Sequence, residues 1–310
     1  MSYTIKVKEE IINKEKSEYE NKYLITSFVK YCGRYSDELT FTLENPSIAR
    51  HIYNLILSNF DIRPRIAIRI QKRFKTKQIY ILSIKSNVDK IFKLCNMKIK
   101  DGKLINDDID LKTLEEKKAY LKGTFIACGS ISDPKKSGYH FELVFSTKKS
   151  ADFISSLLHE FNITSKVIKR TNKYMVYIKV AEEISDILKI FEANNSLFYF
   201  EDVRTEKDHI NMVNRLNNCE QANQDKTIKT GIGQINDINY LKENELISLL
   251  DEKTQLIISY REKYPELSYQ ELSEVISLES NYKISKSGVN HHFIKMRELV
   301  QKHKNKSMAK

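Results

Sequence analysis

The stretch ACGSISD at 127–133 decides how this chain is read, because YCGRYSD at 31–37 matches its cysteine, glycine, serine and aspartate in register. The residues after each copy match too. Leu39, Phe41 and Leu43 alternate with polar residues after the first copy, and Phe141, Leu143 and Phe145 after the second, the period of a strand with one buried face. Helical spacing then takes over in SIARHIYNLILSNFDI and in ADFISSLLHEFNI. A basic hairpin-like pair comes next, RIAIRIQKRFKTKQIYILSI or KVIKRTNKYMVYIKV, and then a closing helix near 87–96 or 182–193. Each copy therefore reads helix, strand, strand, helix, strand, strand, helix. Gly33 and Gly129 are expected in the left-handed conformation that favours glycine just past a helix. Two such units pack economically with their first helices side by side and their sheets joined in one curved surface.

Composition agrees with a folded chain. Its 310 residues suffice for two or three domains, and 41% apolar with 30% charged residues excludes disordered and collagen-like classes. Lys and Arg exceed Asp and Glu, 52 to 41, and the resulting charge of +11 suits a polyanionic partner, nucleic acid first. Cys32, Cys95, Cys128 and Cys219 lie far apart with no CxxC pair, so they read as reduced thiols. The N-terminus lacks the apolar core of a signal peptide and no apolar run is long enough to span a bilayer. A cytoplasmic, nucleoid-associated protein with no membrane partner is expected.

LKGTFIACG at 121–129 resembles the helix motif of the LAGLIDADG homing endonucleases, with Gly123 and Ala127 as small contact residues. ITSFVKYCG at 25–33 is the first copy, with Ser27 in the glycine position. The resemblance implies a two-repeat α+β domain, (αββαββα)2. In active members of that family an acid at the penultimate motif position holds a divalent metal for phosphodiester hydrolysis. Here Cys32 and Cys128 stand there, and a neutral thiol is a poor ligand for a hard, oxygen-seeking ion. Asp37 and Asp133 lie five residues further on, and Ser132-Asp133-Pro134 reads as a turn. The cysteines are read as packing residues, not a redox or zinc pair, and no catalytic residue, metal site or cofactor is expected.

Between 209 and 235 the pattern loosens into an Asn-rich connector, partly helical, containing NRLNNCEQAN. Helical spacing returns from 236, and Pro265 stops one segment. Ser268 and Glu271 then form a capping box for QELSEVISL, and a last helix starts at Ser285. On that helix Val289, Phe293, Met296 and Val300 make one buried stripe, leaving Lys286, Ser287, Asn290, His291 and Lys295 outward. A capped helix, a turn and a second helix with a polar, basic face is the helix-turn-helix arrangement, whose second helix enters the major groove. There Asn reads adenine, Ser and Lys reach phosphate or guanine, and Gly288 permits close backbone approach. His291 and His292 read as two surface residues. From 283 to 310 eight Lys or Arg face Glu298 alone, which favours DNA over mere solvation.

YLKGTFIACGSISDPKKSGYHFEL, NRLNNCEQAN and SKSGVNHHF are similar to the corresponding strings of the WhiA regulators of Gram-positive bacteria. The resemblance covers nearly the whole chain. It implies a DNA-binding, non-enzymatic regulator tied to cell division, chromosome segregation and, in sporulating relatives, sporulation. The chain divides on this reading into a divergent first repeat (1–100), a second repeat (101–208), the connector (209–235) and an all-α helix-turn-helix domain (236–310). Double-stranded DNA is the expected partner, with another transcription or division regulator as a second class. Arg65, Arg69, Lys72 and Arg73, with Lys75 and Lys77, and Lys166, Lys169 and Arg170 in the second copy, are candidate phosphate contacts on the sheets. Arg65, Ala67 and Arg69 alternate with Ile66, Ile68 and Ile70, which is also the pattern of an ordinary half-exposed strand. The alternative is a scaffold that docks a division factor, with DNA binding incidental.

Overall fold

The computed structural model describes residues 2–71, 77–100, 103–105, 109–136 and 138–308, and it divides into two compact units, Met1–Lys207 and Asp208–Lys310. Helix α1 (Tyr3–Asn13) opens the first unit. The first repeat runs α2 (Glu18–Cys32), β1 (Arg34–Tyr35), β2 (Leu39–Leu43), α3 (Pro46–Phe60), β3 (Arg65–Gln71), β4 (Lys77–Ile84) and α4 (Val88–Leu94). A small hairpin, β5 (Lys98–Lys100) with β6 (Lys103–Ile105), separates it from the second. That repeat runs α5 (Leu114–Cys128), β7 (Gly129–Ile131), β8 (Phe141–Phe145), α6 (Lys148–His159), β9 (Lys166–Arg170), β10 (Lys173–Ile178) and α7 (Ala181–Ile190). The expected element order is met in both copies. The two antiparallel sheets share one topology, β1-β2-β4-β3 and β7-β8-β10-β9.

The two motif helices begin alike. Ser17 with Glu20, and Thr113 with Glu116, form reciprocal capping boxes that satisfy amides left open at a helix start. They then pack against each other along their small residues. A Cβ added to Gly123 would fall on the Leu24 carbonyl oxygen and the Ser27 hydroxyl, so the backbones approach as closely as the motif implies. Leu39 and Phe41 are fully buried beneath the helices of the first repeat, as Phe141, Leu143 and Phe145 are in the second.

Gly33 and Gly129 are not left-handed. Their φ angles are −67° and −92°, both extended, because each chain passes from helix straight toward a strand. Glycine is needed there for space: a Cβ would meet the Val29 carbonyl oxygen at one site and the Phe125 ring at the other. Helix α1 also lies outside the repeat pattern. Its Tyr3, Val7, Ile11 and Ile12 are buried, and Thr4 exchanges hydrogen bonds with the backbone of Ile131 at 2.7 and 3.0 Å. Glu10 accepts the amides of Asn195 and Ser196 at 2.6 and 3.0 Å, which caps the helix that begins there.

That helix, α8 (Asn194–Glu243), is continuous through the segment read as a loosened connector. Asn-rich composition weakens helix propensity only modestly, and both ends are held by packing. Phe200 and Val203 are buried in the first unit, while Ile238 and Leu241 are buried in the second. The second unit continues with a 3-10 turn (Ile247–Leu249), α9 (Glu252–Lys263), α10 (Tyr269–Glu279) and α11 (Lys286–Met308). No helix among the described residues is long and apolar enough to cross a membrane.

Candidate nucleic-acid interface

The helix-turn-helix face is set by burial on its opposite side. Val289, Phe293, Met296 and Val300 are all buried, joined in one core by Leu272 and Ile276 of α10 and Ile257 of α9. This rotates Lys286, Ser287, Asn290, His291 and Lys295 outward, and all five are exposed. Ser268 accepts the Glu271 amide at 3.3 Å and Glu271 accepts the Ser268 amide at 2.8 Å, so α10 starts at its capping box. Two polar groups fix α11 from beneath. The buried Arg261 guanidinium donates to the carbonyls of Tyr264, Pro265 and Leu267 and sits 5.5 Å from the centre of the Phe293 ring. It thereby ties the α9–α10 connection to α11.

His292 differs from the surface reading. It is buried, and its Nδ1 lies 2.7 Å from the Thr254 hydroxyl. Thr254 gives its only proton to Asp251, so His292 donates from Nδ1, and burial holds its pKa below the usual value. Neighbouring helix positions diverge by about 100°, which sends His291 to solvent and His292 inward. Gly288 is half-buried, and a Cβ there would crowd the Ile284 side chain.

On the sheets, register decides which basic residues share a face. Arg65 pairs with Ser83 and Arg69 with Ile79, placing both on the outer face of the first sheet, away from buried Leu82 and Ile84. Both are exposed. Lys72 and Arg73, with Lys75, lie outside the described residues. In the second sheet Lys166 and Arg170 share the outer face, paired with Tyr177 and Lys173. Lys169 does not: it pairs with Tyr174 on the other face. One carboxylate interrupts this outer face, because Glu142 accepts from Ser130 at 2.9 Å and meets His140 Nε2 at 3.0 Å.

At the paired helix ends the motif cysteines do not fit a hard divalent ion. Burial raises the Cys32 thiol to about 11 and the Cys128 thiol to about 12, so both are neutral near pH 7. The Lys8 ammonium, which donates to the Ile126 carbonyl at 3.0 Å, pulls both thiols down but is outweighed by burial. Asp133 forms a turn, accepting the Lys135 amide at 3.0 Å and the Tyr199 hydroxyl at 3.2 Å. Among the described residues no three His, Cys, Asp or Glu side chains gather as metal ligands. Beside Cys32 opens a cavity of about 870 Å³ whose lining includes Lys30, Arg34, Lys149 and Lys173. Sequence reasoning missed these four, although Lys30 lies within the first motif and Arg34 directly follows it.

Helix pairing, sheet topology and the terminal helix-turn-helix together define a two-repeat LAGLIDADG-like protein with a C-terminal helix-turn-helix domain. Three family models match in order: the WhiA N-terminal LAGLIDADG-like domain over 18–97, the WhiA LAGLIDADG-like domain over 117–209 and the WhiA C-terminal HTH domain over 213–300. The chain belongs to the WhiA family. It is 34% identical over 310 residues to a probable cell division protein WhiA of Bacillus cereus (strain B4264), covering 97% of each chain. Against the protein of that name from Enterococcus faecalis (strain ATCC 700802 / V583), identity is 33%, covering 99% of this chain and 100% of the other. Full-length DUF199/WhiA from Thermatoga maritima superposes with a TM-score of 0.56 at 22% identity, covering 97% and 98% of the two chains, a likeness of fold.

Proposed function

We propose that this protein is a non-enzymatic regulator that binds duplex DNA and acts in bacterial cell division and chromosome segregation, in the cytoplasm and on the nucleoid. The observation that carries the reading is the outward face of α11, where Lys286, Ser287, Asn290, His291 and Lys295 stand exposed over a buried apolar stripe. In this assignment Asn290 reads adenine and Lys286 and Lys295 anchor phosphate or guanine. Arg65 and Arg69 add phosphate contacts from the first sheet, and the candidate extends to Lys72 and Arg73. The working division is first repeat 1–100, second repeat 101–208, connector 209–235 and reader 236–310. Another transcription or division regulator is the protein partner this role calls for.

Chromatin immunoprecipitation of wild type beside a Lys286→Ala/Asn290→Ala variant tests the assignment. Peaks lost in the variant support it, and unchanged peaks move the contact to the sheets. Plasmid or selected duplex held with magnesium should stay uncut. A second reading, a protein-docking scaffold, is favoured by the exposed apolar residues of β3, and it predicts that deleting 236–310 leaves the cellular role intact.

A further inference from the structure

The cavity beside Cys32 has features that neither the repeat nor the α11 face explains. Its volume of about 870 Å³ lies within the range of small-molecule sites. Four elements drawn from both repeats bring cations to it: Lys30 from α2, Arg34 from β1, Lys149 from α6 and Lys173 from β10. No Asp or Glu is among its described lining residues. The repeat does not require this charge, since Lys30 and Arg34 correspond to Ile126 and Ser130 in the second copy of the motif. A cleft lined by one sign of charge concentrates the opposite sign.

The cavity also has an aromatic wall. Tyr31 packs edge-on against Phe145 with ring centres 5.0 Å apart, and Lys30 Nζ lies 5.6 Å from the centre of the Tyr31 ring and 5.8 Å from that of Phe153. Phe145 is buried, Tyr31 and Phe153 are half-buried, and the Tyr120 hydroxyl donates to that of Tyr31 at 3.2 Å. Packing therefore fixes these rings before a ligand arrives. A planar heterocycle stacks on such rings, while phosphate oxygens accept from Lys and Arg. We infer that this cavity binds a free nucleoside triphosphate, its phosphates held by the four cations and its base on the aromatic wall. Four positive charges suit a triphosphate better than a single phosphate, and with no carboxylate among the described lining residues to hold magnesium, the cations neutralise it directly. Duplex DNA fits less well, because its base faces are stacked within the helix and would leave the aromatic wall unused. Every described lining residue belongs to the first unit, so binding here does not depend on the α11 face.

Isothermal titration calorimetry of the full chain with ATP in the presence of EDTA should show one saturable site per chain. Arg34 and Lys149 are exposed, so Arg34→Ala/Lys149→Ala should keep the melting temperature yet weaken ATP binding about 100-fold, roughly tenfold for each charged contact. Lys90→Ala/Lys93→Ala, an equal loss of charge on α4, should leave binding unchanged. Phe153→Leu should weaken ATP about fivefold and leave inorganic tripolyphosphate unaffected. The salt slope of duplex binding should be the same in Arg34→Ala/Lys149→Ala as in wild type. The nucleotide site is overturned by failure to saturate at about 1 mM ATP, by tripolyphosphate binding as tightly as ATP, or by equal weakening in Lys90→Ala/Lys93→Ala. A duplex salt slope lowered by about 2 in Arg34→Ala/Lys149→Ala would overturn it as well, making the cavity part of a duplex surface. A chain that binds ATP as described but no duplex would overturn the α11 assignment alone.

Discussion

Gly123 is the residue on which the first unit depends most directly. Its missing side chain lets α5 rest on the Leu24 carbonyl and the Ser27 hydroxyl, and a methyl group there has backbone on one side. Gly123→Ala should therefore destabilise the chain by about 3 kcal/mol, the cost of overpacking a close helix contact, read as a lower urea midpoint. His51 governs a different property. Its Nε2 is buried without a hydrogen-bond partner among the described residues, and burial, then Lys16, lowers its pKa from 6.5 to about 4. The unfolded chain takes up the proton first, so this part of the stability is intact above pH 6.5 and is lost as pH falls toward about 4. The loss should be roughly 3 kcal/mol at completion. Urea midpoints between pH 7.5 and 4 should show the slope, and His51→Leu should flatten it.

Single elements stand on local devices that are legible in the chain. The Ser268–Glu271 box starts α10, and Ser268→Ala should cost the helical unit about 1 kcal/mol, visible as a lower melting temperature. The stripe Val289, Phe293, Met296 and Val300 was readable because a helix repeats its burial every three to four residues, and all four are buried. The strands β2 and β8 were readable for the same kind of reason, with a period of two. Helix α1 escaped notice because charged residues separate Tyr3, Val7 and Ile11, although these follow i, i+4, i+8. In α8 the middle residues are polar or exposed, so no periodic burial announces a helix there.

At the level of the whole molecule, charge is the property that bears on the proposed DNA partner. A formal charge of +11 gives long-range attraction to a polyanion, but only phosphate contacts actually made contribute to salt dependence. Fluorescence anisotropy on a selected duplex should give a linear fall of log affinity with log salt. Replacing Lys286 and Lys295 by Ala together should reduce that slope by about 2, whereas replacing Lys169, which faces away from the outer sheet surface, should leave it unchanged. Equal effects from Lys169 and Lys286 would mean that general charge, not the α11 face, governs binding.

Periodicity, capping pairs and the doubled cysteine–glycine string determined the element order, the repeat and the last helix of the helix-turn-helix, since each is a regularity carried by neighbours along the chain. Whether His292 is inside, whether Gly33 and Gly129 are left-handed, which way Lys169 faces and whether β3 is covered were decided only in three dimensions. The physical reason is common to all four. Each depends on which distant backbone or side chain arrives at that point, and a residue's own type constrains that far less than it constrains the local turn of the chain.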